Sequence, residues 1–150
     1  YRVIHVERAE ADDVIATMTK WVQSNELIQQ GLMEEPQKVL ILSSDGDFKQ
    51  LQLLGEVKQW SPMIKKYISA TAKEIENYKI QHIVKGDAGD GIPNILSDDD
   101  VFMVEGKRQK PCGAKKIEKL INESELRETS NWNRNQMLVD LSLIPDDYES

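Results

Sequence analysis

The sequence is short of the features that mark secreted and membrane proteins. It contains one cysteine, Cys112, so no disulfide can form within the chain, which fits a reducing compartment. No apolar run is long enough to span a bilayer. Charged residues also follow the first apolar stretch too soon for a signal peptide. We therefore expect a cytoplasmic protein with no membrane partner.

Basic residues do not outnumber acidic ones. The chain has 19 lysine and arginine residues against 26 aspartate and glutamate residues, a formal net charge of −7. This balance argues against a simple basic nucleic-acid-binding domain, but it allows an enzyme whose acidic residues surround metal ions. With 39% hydrophobic and 30% charged residues among 150, the composition is that of a globular domain large enough to bury a core.

The apolar residues divide the chain into an α/β first half and a helical second half. Residues 39–42 are a continuous apolar run, which predicts a strand covered on both faces. Apolar residues at helical spacing predict a helix over residues 9–23, with Trp21 on its buried face. The same patterns predict a β-prone stretch at 3–6, a short helix at 48–54, strands at 57–60 and 64–68, and helices at 71–84, 113–122 and 131–143, the last ended by Pro145.

Three short acidic motifs stand at the ends of predicted elements rather than along a helix face. They comprise Glu10, Asp12 and Asp13 at the start of the first helix, Asp45 and Asp47 directly after the apolar strand, and Asp87 and Asp90 in a glycine-rich loop. In open α/β sheets, sites form outside the carboxyl ends of the strands. These acids equal the net charge of −7 in number, so the rest of the chain is electrically neutral.

Packed carboxylates repel one another, and a divalent cation relieves that repulsion. Magnesium prefers oxygen ligands and retains several waters, and a pair of such ions stabilises the attacking and leaving oxygens of a phosphoryl displacement. The first two motifs each have a plainer interpretation on their own, because Asp12 and Asp13 suit the first turn of a helix and Asp45 suits a turn. Lys49 and Gln50 exclude an EF-hand calcium loop at the second motif.

The order of these motifs resembles the 5′-nuclease, or flap endonuclease, superfamily. The matching segments are EADD at residues 10–13, SSDGDF at 43–48 and KGDxxD at 85–90. Within the superfamily, the similarity is closest to the ribonucleases H of T-even-type bacteriophages, through VKQWSPM at 57–63 with the following Lys65 and Lys66, and through LIPD at 143–146. The resemblance covers nearly the whole chain.

The resemblance implies a magnesium-dependent 5′→3′ exonuclease and flap endonuclease that acts by two-metal phosphodiester hydrolysis. Such enzymes remove RNA primers and 5′ DNA ends during phage replication, in the host cytoplasm, with two Mg²⁺ ions that Mn²⁺ replaces. By position, Glu10, Asp12 and Asp13 are implied to lie at the more tightly bound ion, Asp45 and Asp47 near both ions, and Asp87 and Asp90 around the second. The implied partners are DNA and RNA–DNA duplexes with 5′ ends or flaps, a single-strand-binding protein and a sliding clamp.

The resemblance also implies two parts: residues 1–85 as a portion of a PIN-like α/β nuclease core, and 86–150 as a helical DNA-binding region with a helix–three-turn–helix-like motif. Its nucleic-acid-binding residues would be Gly91, Gly113, Lys115, Lys116 and Lys119. The charged residues 97–110 are inserted within this motif, and we expect them to form a mobile, solvated loop. The glycine pair that usually begins the second helix is incomplete, which weakens the case for the potassium ion that many members bind there.

The superfamily has further aspartates upstream that have no counterpart in this sequence. We therefore expect a fragment or a split form, with an exposed sheet edge that favours self-association. Two other interpretations stay open: a nucleic-acid-binding module that grips duplex without cutting it, and an unrelated protein whose acids hold a structural calcium or magnesium ion. His5 and His82 lack ligand spacing and are expected to have no catalytic role.

Overall fold

The computed structural model describes residues 2–144, which form two compact units. Of the described residues, the first unit comprises 2–72 and 141–144, and the second comprises 73–140. The predicted boundary lay between residues 85 and 86, whereas the units divide between residues 72 and 73. The helix that ends at Lys85 therefore belongs almost entirely to the second unit.

The first unit contains two helices, a 3₁₀ helix and a three-stranded sheet. Its elements are α1 (Ala11–Gln23), α2 (Glu26–Gln29), β1 (Val39–Leu42), a first 3₁₀ helix (Asp47–Leu54), β2 (Val57–Ser61) and β3 (Lys66–Ile68). The strands are ordered β1-β2-β3, with β1 parallel to β2 and β2 antiparallel to β3. Because β1 and β2 are parallel, their carboxyl ends meet at one edge of the sheet, directly before the predicted second acidic motif.

The core of the first unit lies on one face of this sheet. Its buried apolar residues are Ala16 of α1, Ile41 of β1, Phe48 and Leu51 of the 3₁₀ helix, Val57 of β2, and Leu141 and Ile144 from the returning chain. The backbone N–H of Leu141 also donates to the buried Oε1 of Gln50, at 3.3 Å. The chain thus uses its last described residues to complete the core of its first unit.

Three expectations for the first unit are wrong. Residues 3–6 form no strand and are exposed. Leu40 and Leu42 are 53% and 67% exposed, so β1 is covered on one face, not two. Trp21 is 47% exposed rather than buried, because α1 turns Ala16 and Thr19 inward instead. The helical spacing of apolar residues predicted the helix correctly, but α1 buries a narrower face than those apolar residues form.

The second unit is helical, as predicted. Its elements are α3 (Ala72–Lys85), α4 (Ala114–Ile121), a second 3₁₀ helix (Ser124–Glu128) and α5 (Ser130–Val139). The core combines residues from these helices and from the loop after α3: Ile83, Val84, Ile92, Ile95, Leu120, Trp132 and Val139. Helix α5 ends earlier than predicted, and Pro145, proposed as its stop, lies outside the described residues, as does part of the 143–146 segment.

The charged loop at residues 97–110 is largely exposed, but hydrogen bonds hold its two ends within the second unit. Asn94, 4% exposed, donates from Nδ2 to the carbonyl of Lys110 at 3.0 Å, and Lys110 N–H donates to Ser97 Oγ at 2.9 Å. These bonds join the two ends of the loop. The expected exposure to solvent is found at residues 102–108, whereas the hydrogen bonds that join the loop's ends were not predicted.

The acidic triplet of this loop has basic partners of its own. Lys107 pairs with both Asp98, at 3.0 Å, and Asp100, and Arg134 of α5 pairs with Asp99. The hydrogen bond from Lys107 holds the pKa of Asp98 below its usual value. The triplet is therefore explained by structure. Among residues 2–144, no helix has the length and apolar character needed to cross a membrane.

Candidate metal and nucleic-acid site

The first acidic motif forms the amino-terminal end of α1. Glu10 is the N-cap residue in extended conformation, and its backbone N–H donates to Asp13 Oδ2 at 3.1 Å. This reciprocal arrangement at the N-cap and third helical positions is a capping box. Asp13 therefore stabilises the helix end itself, while Asp12, between them in the first turn, makes no contribution of that kind. Of the three acids, Asp12 is the one that the helix positions without using it as a cap.

The second motif follows β1 at the carboxyl edge of the sheet. The N–H of Asp45 donates to Ser43 Oγ at 3.1 Å, and the N–H of Asp47 donates to Asp45 Oδ1 at 3.0 Å. These short-range bonds form a pair of turns that starts the 3₁₀ helix at Asp47. Asp45 is exposed, whereas the Oδ1 atom of Asp47 is buried. The Asp45 side chain is therefore exposed to solvent, whereas one carboxylate oxygen of Asp47 lies in the interior.

The structure brings the first and second motifs together. The pKa of Asp12 is raised to about 6 from 3.8, first by burial and then by the negative charges of Asp45, Asp47, Glu10 and Asp13, in that order. A carboxylate experiences such repulsion only when other carboxylates lie close by in a poorly screened environment. Residues separated by more than 30 positions therefore share one electrostatic site.

This site suits a divalent cation in charge and donor type. Its side chains offer carboxylate oxygens, which Mg²⁺ prefers, and a cation would remove the repulsion that raises the pKa of Asp12. Within residues 2–144, however, no three histidine, cysteine, aspartate or glutamate side chains converge in the manner of a closed metal site. Mg²⁺ is compatible with this arrangement, because it is commonly held by one or two carboxylates and several waters.

The third motif belongs to the second unit, in the loop after α3. Asp87 Oδ1 accepts a hydrogen bond from the N–H of Gly89 at 2.8 Å, and its Oδ2 lies 3.2 Å from His82 Nε2. Burial would raise the pKa of Asp87, but the hydrogen bonds from Gly89 and His82 outweigh it and hold the pKa below its usual value. Asp90 is exposed. Asp87 therefore already has internal partners, and the role of one of them, His82, is structural.

A glycine fixes the start of this loop. Gly86 has φ of +68°, and a Cβ there would lie 2.4 Å from the carbonyl oxygen of Ile92. The loop closes just beyond it, where the N–H of Ile92 donates to the carbonyl of Asp87 at 2.7 Å. A side chain at residue 86 would therefore be strained both by conformation and by contact. Gly86 is therefore required by the backbone of the loop that carries Asp87 and Asp90.

The residues predicted to bind nucleic acid lie in the second unit, on or near α4. Gly113 is the N-cap of α4 and is exposed, as are Lys115 and Lys116 in its first turn. Lys119 is exposed and lies 3.7 Å from Glu123. Gly91, in the loop after α3, has φ of +75° with open space around it. The first turn of α4 contains no acidic residue, so positive charge stands where the helix dipole is already positive.

Two further residues support the acidic site and were missed from the sequence. Gln59 and Ser61 are inward-facing residues of β2, and they hydrogen-bond to the segment that contains Asp45. The sequence feature that could have identified them is the alternation in β2, which puts Gln59 and Ser61 on the same buried face as Val57. Buried polar side chains need hydrogen-bond partners.

No protein-family model matches the chain. Ribonuclease H of Enterobacteria phage T4 is 35% identical over 159 aligned residues, a match that covers 100% of this chain and 49% of that protein. The chain thus spans about half the length of the curated relative that it matches.

Among solved structures, the crystal structure of the T5 D15 protein co-crystallised with metal ions has a TM-score of 0.54 and 21% sequence identity. The similarity covers 94% of this chain and 53% of that one. It shows a shared mixed α/β fold, although the helix–three-turn–helix remains a prediction. The sequence match to a phage ribonuclease H and this shared fold confirm the resemblance drawn from the acidic motifs.

Proposed function

We propose that the chain carries the metal-dependent acidic site and the duplex-binding surface of a 5′ nuclease. Its reaction is phosphodiester hydrolysis at the 5′ ends or flaps of DNA and RNA–DNA duplexes, including the removal of RNA primers during phage-type replication. The relationship to a phage ribonuclease H supports nuclease activity in general. Direction of cutting, substrate preference and the two-metal mechanism belong to the proposal, as do a single-strand-binding protein and a sliding clamp as partners.

The observation that carries this proposal is the repulsion around Asp12. The pKa of Asp12 rises to about 6 because burial and the charges of Asp45 and Asp47 disfavour its ionised form. A chain that keeps these acids together, at a cost in stability, needs a cation or a function to explain them. Mg²⁺, or Mn²⁺ in its place, would be held within the first unit by Glu10, Asp12, Asp13, Asp45 and Asp47. By the same resemblance, Asp87 and Asp90 are proposed as metal ligands within the second unit. When bound, the ions supply charge that stabilises the transferring phosphate.

The surface of α4 supports the nucleic-acid part of the proposal. Lys115 and Lys116 place two positive charges in the first turn of α4, where the interaction with the positive end of the helix dipole is unfavourable. A phosphate bound there would offset that cost through charge and through the free backbone N–H groups after Gly113. Lys119 and the positive-φ glycine at 91 complete the proposed surface.

A second candidate function is a duplex-binding module that does not cut. The absence of three converging ligands within residues 2–144 favours it, and so does the occupation of Asp87 by His82 and Gly89. In that case the acidic site would be completed by side chains from outside this chain.

The deciding experiment is cleavage of a 5′-labelled RNA–DNA hybrid and a 5′-flap DNA with Mg²⁺, with Mn²⁺ and with chelator. The test variant is Asp45→Asn, and the matched control is Glu34→Gln, which removes an equal charge at an exposed position outside the site. We expect metal-dependent cutting that Asp45→Asn lowers by about 100-fold or more, the scale for removing a group that stabilises transition-state charge. Glu34→Gln should cut like the unaltered chain.

Absence of cutting, together with duplex binding that weakens steeply with salt, would reject the nuclease in favour of the binding module. Absence of both would reject the two functions together. Cutting that survives chelator would contradict the metal requirement.

A further inference from the structure

Gln59 is a completely buried amide in the middle strand of the sheet. Its exposed fraction is 0%, and it lies between Val57 and Ser61 on the inward face of β2. A buried amide costs free energy unless it is hydrogen-bonded. Its partners therefore show why a polar residue occupies a core position.

The partners of Gln59 are two carbonyl groups of the second acidic motif. Nε2 donates to the carbonyl of Ser43 at 3.0 Å and to the carbonyl of Asp45 at 2.5 Å. Both carbonyls lie in the irregular segment between β1 and the 3₁₀ helix, where no neighbouring strand can satisfy them. One amide thus fixes the backbone on both sides of Ser44.

Ser61 reinforces this contact from the same face of β2. Its Oγ lies 2.8 Å from Ser44 Oγ and is 3.4 Å from the N–H of Ile64, which donates to it. Consecutive residues 43, 44 and 45 are therefore each held by β2. Since Asp45 itself is exposed, these contacts and not packing of its side chain fix its position.

The side-chain oxygen of Gln59 indicates that stability alone does not account for a glutamine at this position. Within residues 2–144, Oε1 is buried and has no hydrogen-bond partner. A buried unsatisfied acceptor lowers stability, and an apolar side chain of similar size would avoid that cost. Only a side chain with two N–H donors holds both carbonyls.

We infer that Gln59 is a positioning residue of the acidic site, which fixes the backbone of Ser43 and Asp45 so that the carboxylates of Asp45 and Asp47 face Asp12. The inference deepens the proposed function and rests on it for the role of the site, although the positioning itself is measurable without cutting. It requires an amide at residue 59, rather than a polar residue of any kind.

The test compares Gln59→Met with Gln52→Met. Gln52 is a second amide of this unit: it donates to the carbonyl of Ile68 at 3.2 Å and accepts from the N–H of Ala70 at 3.3 Å, outside the acidic segment. Both variants lose two backbone hydrogen bonds and keep a side chain of similar length. The control therefore reproduces the general loss of stability without touching residues 43–47.

The first readout is metal-free amide hydrogen exchange by NMR. In Gln59→Met we expect the N–H groups of Asp45 and Asp47 to exchange about 10-fold faster or more, because opening of this segment is no longer opposed by two hydrogen bonds. In Gln52→Met they should keep their rates. Equal rates in both variants would overturn the inference.

The second readout is Mn²⁺ affinity, from the free-ion signal in electron paramagnetic resonance. Loss of a residue that orients ligands typically weakens metal binding by about 10–100-fold, so we expect a weakening in that range for Gln59→Met and none for Gln52→Met. A matched fall in melting temperature with unchanged Mn²⁺ affinity would show a merely structural role and overturn the inference.

If Gln59→Met does not fold, Ser61→Ala tests the contacts between β2 and residues 43–45 with a smaller change. Unchanged hydrogen exchange of the Asp45 and Asp47 N–H groups in that variant would overturn the inference. Failure of the proposed function looks different. An unaltered chain that neither binds Mn²⁺ nor cuts nucleic acid rejects the nuclease, while the hydrogen-exchange comparison still decides whether Gln59 holds the segment.

Discussion

Nε2 of His82 lies 3.2 Å from Oδ2 of Asp87, where α3 gives way to the glycine-rich loop. The imidazole is largely buried and packs edge-on against Tyr78, with ring centroids 5.4 Å apart. The loop that carries the third acidic motif is therefore anchored to the helix before it through one of its own acids.

This contact predicts an acid-sensitive second unit. The pKa of Asp87 is held below its ordinary value, so its ionised form stabilises the fold above about pH 4, and that stabilisation is lost as the pH falls through the lowered pKa. We expect Asp87→Asn to remove this part of the acid sensitivity and to cost about 1 kcal/mol at neutral pH, since the group is partly exposed. Thermal unfolding as a function of pH measures both effects. Asp90→Asn, at the exposed acid of the same loop, should behave like the unaltered chain.

Asp12 predicts the opposite pH dependence. Its pKa is raised to about 6, so the protonated form is favoured in the fold, and the resulting stability is present below pH 3.8 and lost as the pH rises through about 6. Without metal, Asp12→Asn should therefore raise the free energy of unfolding at pH 8 by roughly 1–3 kcal/mol, a gain that shrinks towards pH 4. Denaturant unfolding in chelator at both pH values measures this gain.

Magnesium should reduce the gain from Asp12→Asn, because the cation relieves the same repulsion. Glu34→Gln is the charge-matched control and should show no gain at either pH. A destabilised Asp12→Asn protein at pH 8 would contradict the placement of Asp12 among the other carboxylates.

Gly86 and Gly91 predict a graded loss of stability on substitution by alanine. Both have positive φ, but a Cβ at residue 86 would lie 2.4 Å from the Ile92 carbonyl oxygen, whereas residue 91 has open space. We expect Gly91→Ala to cost about 1 kcal/mol, the cost of the left-handed conformation alone, and Gly86→Ala distinctly more, about 3 kcal/mol or above. Equal losses in urea unfolding would contradict the observed close approach.

Lys115 and Lys116 predict a change in the salt dependence of duplex binding. With both replaced by glutamine, the slope of log affinity against log salt should fall in magnitude by about 2, one phosphate contact for each lysine. The melting temperature should stay level or rise slightly, because the first turn of α4 loses unfavourable charge. Lys73→Gln, at an exposed lysine of α3, is the control. An unchanged slope in the double variant would place the duplex elsewhere.

Several features of the fold followed from local patterns in the sequence. The apolar run at Val39–Leu42, the helix at Ala11–Gln23 and the helical second half were predicted because periodicity and turn residues act over a few neighbouring positions. The similarity to a phage ribonuclease H also followed, because the three acidic motifs occur in a fixed order along the chain.

The surroundings of individual side chains did not follow from the sequence. Trp21 has the spacing of a core residue yet is 47% exposed, because burial depends on which elements pack against that strip of α1. Asp98 and Asp99 are exposed, as expected, and Asp100 is half-buried, but the sequence did not predict the basic partners of these acids at positions up to 35 residues away. Such pairings arise only when distant segments meet.

The sequence by itself determined which carboxylates this protein has and where along its strands and helices each one stands. The tertiary structure alone decided that Asp12 shares a poorly screened region with Asp45 and Asp47, that Asp87 is engaged by His82, and that Gln59 holds the backbone between the acids. The reason is physical. Local propensity depends on neighbouring residues, whereas charge repulsion and the hydrogen-bonding of buried groups depend on distances in space that only the packed chain defines.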